Sequence, residues 1–229
     1  MTTTTHAPQH RAPTTDVGSA PLAGLGTMIR FVLRRDRIRL PAWIIGHGLF
    51  VVYITAALPQ LAPSERDLAG LISLLTQPVA RMFTGPALGL DDPTYERFFA
   101  AGYAPYLFIM AASMNIFLVT RHTRAEEQSG RAELLRASVL GRHTMLTATL
   151  VVAALANLAA AAVVTALTLG AGYPTAGSVL VGVATGATGM VFAGIASITA
   201  QINEFSRAAS GMAGALLGAA FVLRALGDM

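Results

Sequence analysis

The sequence predicts an all-α fold: a polytopic membrane helical bundle of about five transmembrane helices, preceded by an amphipathic helix at the membrane interface. Two observations carry this. Of 229 residues, 54% are hydrophobic and only 12% are charged, against roughly 25% charged in soluble domains. The charges are also bunched, leaving uncharged runs long enough to cross hydrocarbon at about 1.5 Å per residue. The mean hydropathy of +0.58 agrees.

Composition also excludes chemistry. There is no cysteine, hence no disulfide, thiolate ligand or thiol nucleophile. All 16 basic residues are arginine, so the lysine of a phosphate-gripping GxxxxGK[ST] loop is missing. If ATP drives this protein, another chain binds it. No cofactor, metal, catalytic residue or nucleic-acid partner is expected.

Residues 1–21 open with Thr, Pro and His and almost no apolar content, as in a disordered tail. They lack the apolar core of a signal peptide. His6 and His10 in such a tail read as solvated residues. Residues 22–40 follow a different rule. Leu25, Met28, Ile29 and Val32 recur at i, i+3, i+4 and i+7, a helical stripe. Arg30, Arg34 and Arg37 share the opposite side, with Arg35 and Arg39 beside them. The pattern suits an interfacial helix with arginines on anionic lipid. A plain basic anchor before the first span is the alternative.

The transmembrane domain is expected over 41–226. The first span runs from Pro41 to about Gln60, with Trp43 at its inner end and His47 as its one titratable group. A neutral imidazole bonded to a neighbouring helix, or snorkelling, fits His47 better than a proton relay. An outer segment, 61–97, follows. Ser64-Glu65-Arg66-Asp67 resembles a capping box, and Leu68, Leu71, Ile72 and Leu75 form a second stripe. Asp91 and Asp92 lack further oxygen ligands at cation-site spacing. The second span is expected from about Phe98 to Thr120, kinked at Pro105, with Asn115 bonded to another helix.

From Thr144 to Asn203 there is no charged residue or histidine. The stretch is too long for one crossing and sufficient for two, with the turn at Gly170-Ala171-Gly172-Tyr173-Pro174. The third and fourth spans are then about Met145–Leu169 and Thr175–Ala200. The fifth is about Ala208–Leu226. Gly182-x-x-x-Gly186, Gly189, Gly194 and Gly214-x-x-x-Gly218 are small residues at spacings that let helices approach closely in lipid. Arg224 lies near the far end, within snorkelling reach of the interface.

Arginine distribution sets the orientation. With the tail inside, the cytoplasmic segments hold Arg11, Arg30, Arg34, Arg35, Arg37, Arg39, Arg121, Arg124, Arg131, Arg136, Arg142 and Arg207. Arg66, Arg81, Arg97 and Arg224 remain outside. The positive-inside rule therefore places the N-terminus in the cytoplasm of a multi-pass inner-membrane protein. The abrupt ending after the fifth span suggests a fragment or an incomplete repeat.

Between the second and third spans lies the one dense charged island, Arg121 to His143. Glu126, Glu127, Gly130, Arg131, Glu133, Leu134, Leu135 and Arg142 combine helix-spaced charges with an apolar edge. Such a helix suits docking to a soluble partner; a solvated loop helix with no partner fits the pattern equally.

The island run Gly130 to Arg142, GRAELLRASVLGR, with Glu127 ahead of it, resembles the cytoplasmic signature of ABC-2-type exporter permeases, E-x-x-G-R-x-E-L-L-x-A-(S/T)-P-(V/L)-(G/S)-R. Val139 departs from the usual proline. The likeness extends over about residues 22–226 and is closest to actinobacterial tetronasin-type antibiotic exporter permeases, built of two fused halves. The resemblance implies that residues 124–142 form a coupling helix seated in a cytoplasmic ABC ATPase subunit. It further implies that this chain is the first, N-terminal half and works with a second permease half, fused or separate. Hydrophobic or amphiphilic cargo would then be exported. A secondary transporter would need intramembrane acids, and only His47, Asn115 and Asn157 are there. An intramembrane enzyme would need HExxH or a serine with its base. A non-transporting membrane scaffold is the remaining alternative.

Overall fold

The computed structural model describes residues 21–85, 89–90, 92, 94–128 and 143–227, with only the backbone of Glu65 and Glu127. Ten helices carry these residues: α1 Leu25–Arg35, α2 Arg39–Leu61, α3 Glu65–Leu75, α4 Pro78–Thr84 and α5 Tyr95–Gly102, then α6 Ala104–His122, α7 Arg124–Gln128, α8 Thr144–Gly170, α9 Thr175–Ile202 and α10 Ser206–Gly227. No strand occurs among the described residues. Five helices are long and apolar enough to cross a membrane: α2, α6 continued through Glu126, α8, α9 and α10. Helices close their own backbone hydrogen bonds, the condition for crossing a medium without water.

The second span differs from expectation. Residues 95–102 form a separate helix that ends at Tyr103, whose N–H donates to the Phe99 carbonyl at 2.9 Å. Pro105 does not kink a continuous span. It sits in the first turn of α6, where its missing N–H leaves no bond broken. The crossing therefore runs over Ala104–Glu126, further along the chain than 98–120.

At the opposite end from the α1 arginines, α3, α4 and α5 form a cover. Ser64 caps α3: its hydroxyl accepts from the Asp67 N–H at 3.2 Å, and the Asp67 carboxylate accepts from the Ser64 N–H at 3.2 Å. Leu68 and Ile72 of the stripe are buried with Phe98 and Phe99. The Tyr95 hydroxyl donates to the Ala62 carbonyl at 2.6 Å, tying α5 to the end of α2. Asp92 pairs with Arg97 at 2.8 Å; Asp91 lies outside the described residues. Arg224 stacks on Phe221 and donates to the Met82 carbonyl at 3.4 Å.

The core turns on two asparagines. Asn115 stands at the middle of the second span and Asn157 at the middle of α8. Each amide donates to the other's carbonyl oxygen, at 2.9 and 3.0 Å. The remaining N–H of each returns to its own helix, at Ala111 and Ala153. Every amide proton is thus used. Gly189, at the middle of α9, lies directly over the pair: a Cβ there would run into Asn157 Oδ1 and come within 2.7 Å of Asn115 Nδ2. Gly182 and Gly186 continue the close contact against Thr165 and Ala161 of α8. By contrast a Cβ at Gly194, Gly214 or Gly218 meets nothing within 4 Å. One of the two glycine series therefore packs inside this chain.

His47 is fully buried and its Nδ1 bonds the Trp43 carbonyl of its own helix at 2.7 Å. The ring also lies within reach of the Leu107 backbone of α6, so His47 has both a local partner and one on a neighbouring helix.

Two predictions follow from the three-helix contact. Gly189→Ala should lower the melting temperature of the detergent-solubilised protein, while Gly194→Ala leaves it unchanged; equal melting of the two would contradict the contact. Asn115→Ala should destabilise by about 0.5–2 kcal/mol, the span of interhelical hydrogen bonds in membranes, measured by unfolding in mixed micelles.

Candidate functional site

The arginine-rich end is built around one acid. Asp36 closes α1, its backbone N–H bonded to the Val32 carbonyl. It is the single acid among the arginines from Arg30 to Arg39. The stripe of α1 faces protein: Met28 and Val32 are buried, and Val32 joins the core of α6, α8 and α9. That packing carries Asp36 inward, where it is 2% exposed. A buried carboxylate needs partners. His122 Nε2 lies 2.6 Å from one oxygen and Arg121 Nη1 lies 3.0 Å from the other. Burial pushes the Asp36 carboxyl up, but the His122 hydrogen bond outweighs it together with the charges of His122, Arg121 and Arg39. The net direction is below the usual carboxylate value.

A second ion pair extends the clasp. Arg35 Nη1 meets Glu126 Oε1 at 2.5 Å, and Glu126 is 2% exposed. The last residue of α1 and its cap, Arg35 and Asp36, thus hold three residues at the end of the second span. On its other side α7 grips the α9–α10 corner. Arg124 Nε donates to the Glu204 carbonyl at 3.0 Å, and Gln128 Nε2 donates to the same oxygen at 3.3 Å. The Gln128 side-chain oxygen Oε1 accepts from the Ser206 N–H at 3.0 Å. The start of α8 is anchored too. The His143 N–H reaches the Pro21 carbonyl at 3.3 Å and the Thr144 hydroxyl the Ala23 carbonyl at 3.0 Å. The described chain on either side of residues 129–142 is therefore fastened to the α1 segment, through Glu126 before them and through His143 and Thr144 after them.

Of the residues singled out for docking, Glu126 is turned into the protein against Arg35. Glu127 lies in α7. Gly130, Arg131, Glu133, Leu134, Leu135 and Arg142 lie outside the described residues. Of the surface arginines, Arg30, Arg34, Arg37 and Arg39 are exposed, and Arg35 is half-buried in its ion pair. Sequence reading missed Asp36, His122 and the Gln128–Glu204 contact. A lone acid in an arginine run was the available signal for the first; the others depend on helices distant in sequence. No group of three or more potential metal-binding side chains occurs among the described residues.

Residues 25–229 match the family model described as the multidrug efflux system permease Rv1217c, C-terminal domain. The multidrug efflux system permease protein Rv1217c of Mycobacterium tuberculosis (strain ATCC 25618 / H37Rv) is 37% identical over 221 residues, covering 96% of this chain and 39% of that protein. The chain thus spans well under half the length of that relative. The matched model is described as a C-terminal domain, in contrast to the first half expected from sequence. With five helices able to cross a membrane, this chain belongs to the Rv1217c C-terminal-domain family of multidrug efflux permeases.

Proposed function

We propose that the chain is a transmembrane permease part of an ATP-driven ABC-2-type exporter. It moves hydrophobic or amphiphilic, antibiotic-like compounds across the cytoplasmic membrane, with its N-terminus in the cytoplasm. A separate ATPase subunit engages Glu127 to Arg142, a second permease half completes the pathway, and Arg30, Arg34 and Arg37 rest on anionic lipid. The observation that carries this reading is the family match together with the clasp at the arginine-rich end. A force applied to residues 129–142 enters at α7 and at His143. From α7 it passes through Glu126–Arg35 and Asp36–His122 into α1, and through Gln128 and Arg124 into the α9–α10 corner. Rigid helices tied at both ends of a loop transmit a push rather than absorb it.

The alternative of an ion-driven transporter finds no support in the spans. The one acid in the five crossings is Glu126, at the arginine-rich end of the second and paired with Arg35, and the Asn115 and Asn157 amides are fully occupied with each other and with their own helices.

Exchanging the charges of Arg131 and Glu133 in the full protein with its ATPase should leave membrane insertion intact. ATP hydrolysis should continue while vesicle efflux of a fluorescent drug falls by about tenfold or more; unchanged efflux would remove the docking role. Asp36→Asn should destabilise by on the order of 3 kcal/mol, because His122 and Arg121 are left facing a neutral amide in a dry site. The pH dependence has a definite sign. The native carboxyl lies below its unfolded value of 3.8, so its contribution is complete above that pH and is lost as pH falls through the native value. Thermal melts taken from pH 7 downward should show the wild-type advantage over Asp36→Asn intact above pH 3.8 and shrinking as pH falls below it.

A further inference from the structure

The cover at the end of the bundle opposite the α1 arginines contains one short helix, α4, that buries none of its residues. Val79 and Phe83, four apart and so on one face, are 69% and 54% exposed. Single exposed apolar side chains need no explanation, but here the surroundings are apolar as well. Val222, Leu223 and Leu226, at the end of α10, are also exposed, in a helix long and apolar enough to cross a membrane.

The contact between the two helices sets the depth of α4. Arg224 Cζ lies 5.4 Å from the centroid of the Phe221 ring, so the guanidinium folds back along α10 toward its start, as long helical side chains do. From there it donates to the Met82 carbonyl at 3.4 Å, and a Cβ on Gly85 would stand 3.5 Å from it. Phe221 precedes Gly227, where α10 ends, by about 9 Å at 1.5 Å per residue. The whole of α10 spans about 33 Å by the same rise, little more than the roughly 30 Å of hydrocarbon. The end of α4 at Met82 and Gly85 therefore stands level with a part of α10 that faces acyl chains.

The polar groups of α4 suit that depth. Pro78 opens the helix and has no N–H to satisfy. The Thr84 hydroxyl donates to the Ala80 carbonyl at 3.0 Å. Arg224 meets the carbonyl end, where the helix dipole favours a cation. Gly85, where the helix stops, is buried; non-helical backbone at membrane depth is tolerated only inside protein. Arg81 is the one charged residue of α4 and pairs with no acid among the described residues. Its side chain leans toward the helix start, the Gln77 end, away from the Arg224 contact.

We propose that α4 dips into the membrane: Val79 and Phe83 rest on the acyl chains of the leaflet at this end, and Arg81 pairs with its lipid phosphates. A planar guanidinium matches phosphate oxygens, and the apolar face continues the lipid-facing surface of α10. Which leaflet this is rests on the orientation proposed above; the immersion itself does not, nor does it depend on export.

The chain has no cysteine, so a single introduced thiol reports alone. Val79→Cys and Phe83→Cys would each carry a nitroxide in the full chain, in nanodiscs of phosphatidylcholine and phosphatidylglycerol. Collision rates with oxygen and with a water-soluble nickel chelate are compared with those of lipids labelled on the headgroup and high on the acyl chain. Both protein labels should match the acyl-chain label, with nickel collisions at least about fivefold below the headgroup label, since water is absent from the hydrocarbon. Arg81→Glu should raise nickel access at the Phe83→Cys label by about twofold or more, because the anionic surface then repels the helix. Helical circular dichroism and a single elution peak check the fold of each variant. Nickel access equal to the headgroup label places α4 in water and overturns the proposal. Protection from oxygen and nickel together places another protein surface on α4 and overturns it too. Unchanged nickel access in Arg81→Glu overturns the phosphate pairing.

Discussion

The Asn115–Asn157 amide pair is the constraint around which the bundle is arranged. In hydrocarbon there is no solvent to take over an unpaired amide, and apolar faces gain little by leaving lipid for protein. Helix association then depends on close packing and on the few polar groups available. Here both operate at one level. Two amides in mid-span saturate each other, and the third helix approaches because Gly189 offers no Cβ. The register of α6, α8 and α9 is set at that point: a shift by one residue would take an amide out of reach or bring a side chain onto it.

The two ends of the bundle follow different physics. At the arginine-rich end the joints are ionic and specific: Arg35 to Glu126, Asp36 to His122 and Arg121. Their role is to hold α1 on the second span at the base of the charged island. A purely apolar contact would tolerate sliding. A buried carboxylate between two directional partners does not, because moving either one leaves charge uncompensated. At the other end the packing is mainly apolar and aromatic, with Leu68 and Ile72 of α3, Phe98 and Phe99 of α5 and Leu107 of α6 in one cluster.

The two glycine series show how far pattern alone reaches. Gly182-x-x-x-Gly186 and Gly214-x-x-x-Gly218 have the same spacing. The first is pressed on α8, whereas a Cβ on the second meets nothing. Spacing states that a helix is able to approach another; only the neighbours present decide whether it does. Pro105 teaches a related lesson. A proline in an apolar run allows either a kink or a fresh helix start. The Tyr95–Gly102 segment, held to Ala62 through Tyr95 and packed under α3, selected the fresh start.

Sequence by itself determined the class of the molecule and most of its elements. Long uncharged runs have one stable outcome in a bilayer, so five spanning helices, the α8–α9 turn at Gly170 to Pro174 and the Ser64–Asp67 cap were all legible. These are local properties, governed by the period of apolar residues and by which side chains satisfy free backbone groups. Only the tertiary structure decided the partners. Asn115 was recognisable as a residue needing another helix, but that the helix is α8 depends on how three crossings assemble. Asp36 read as one acid among arginines, and Glu126 as a surface docking charge; both proved to be buried because the stripe of α1 turns toward the bundle. Ion pairs and pockets are formed by residues far apart in the chain. Their geometry comes from packing, which no periodicity encodes.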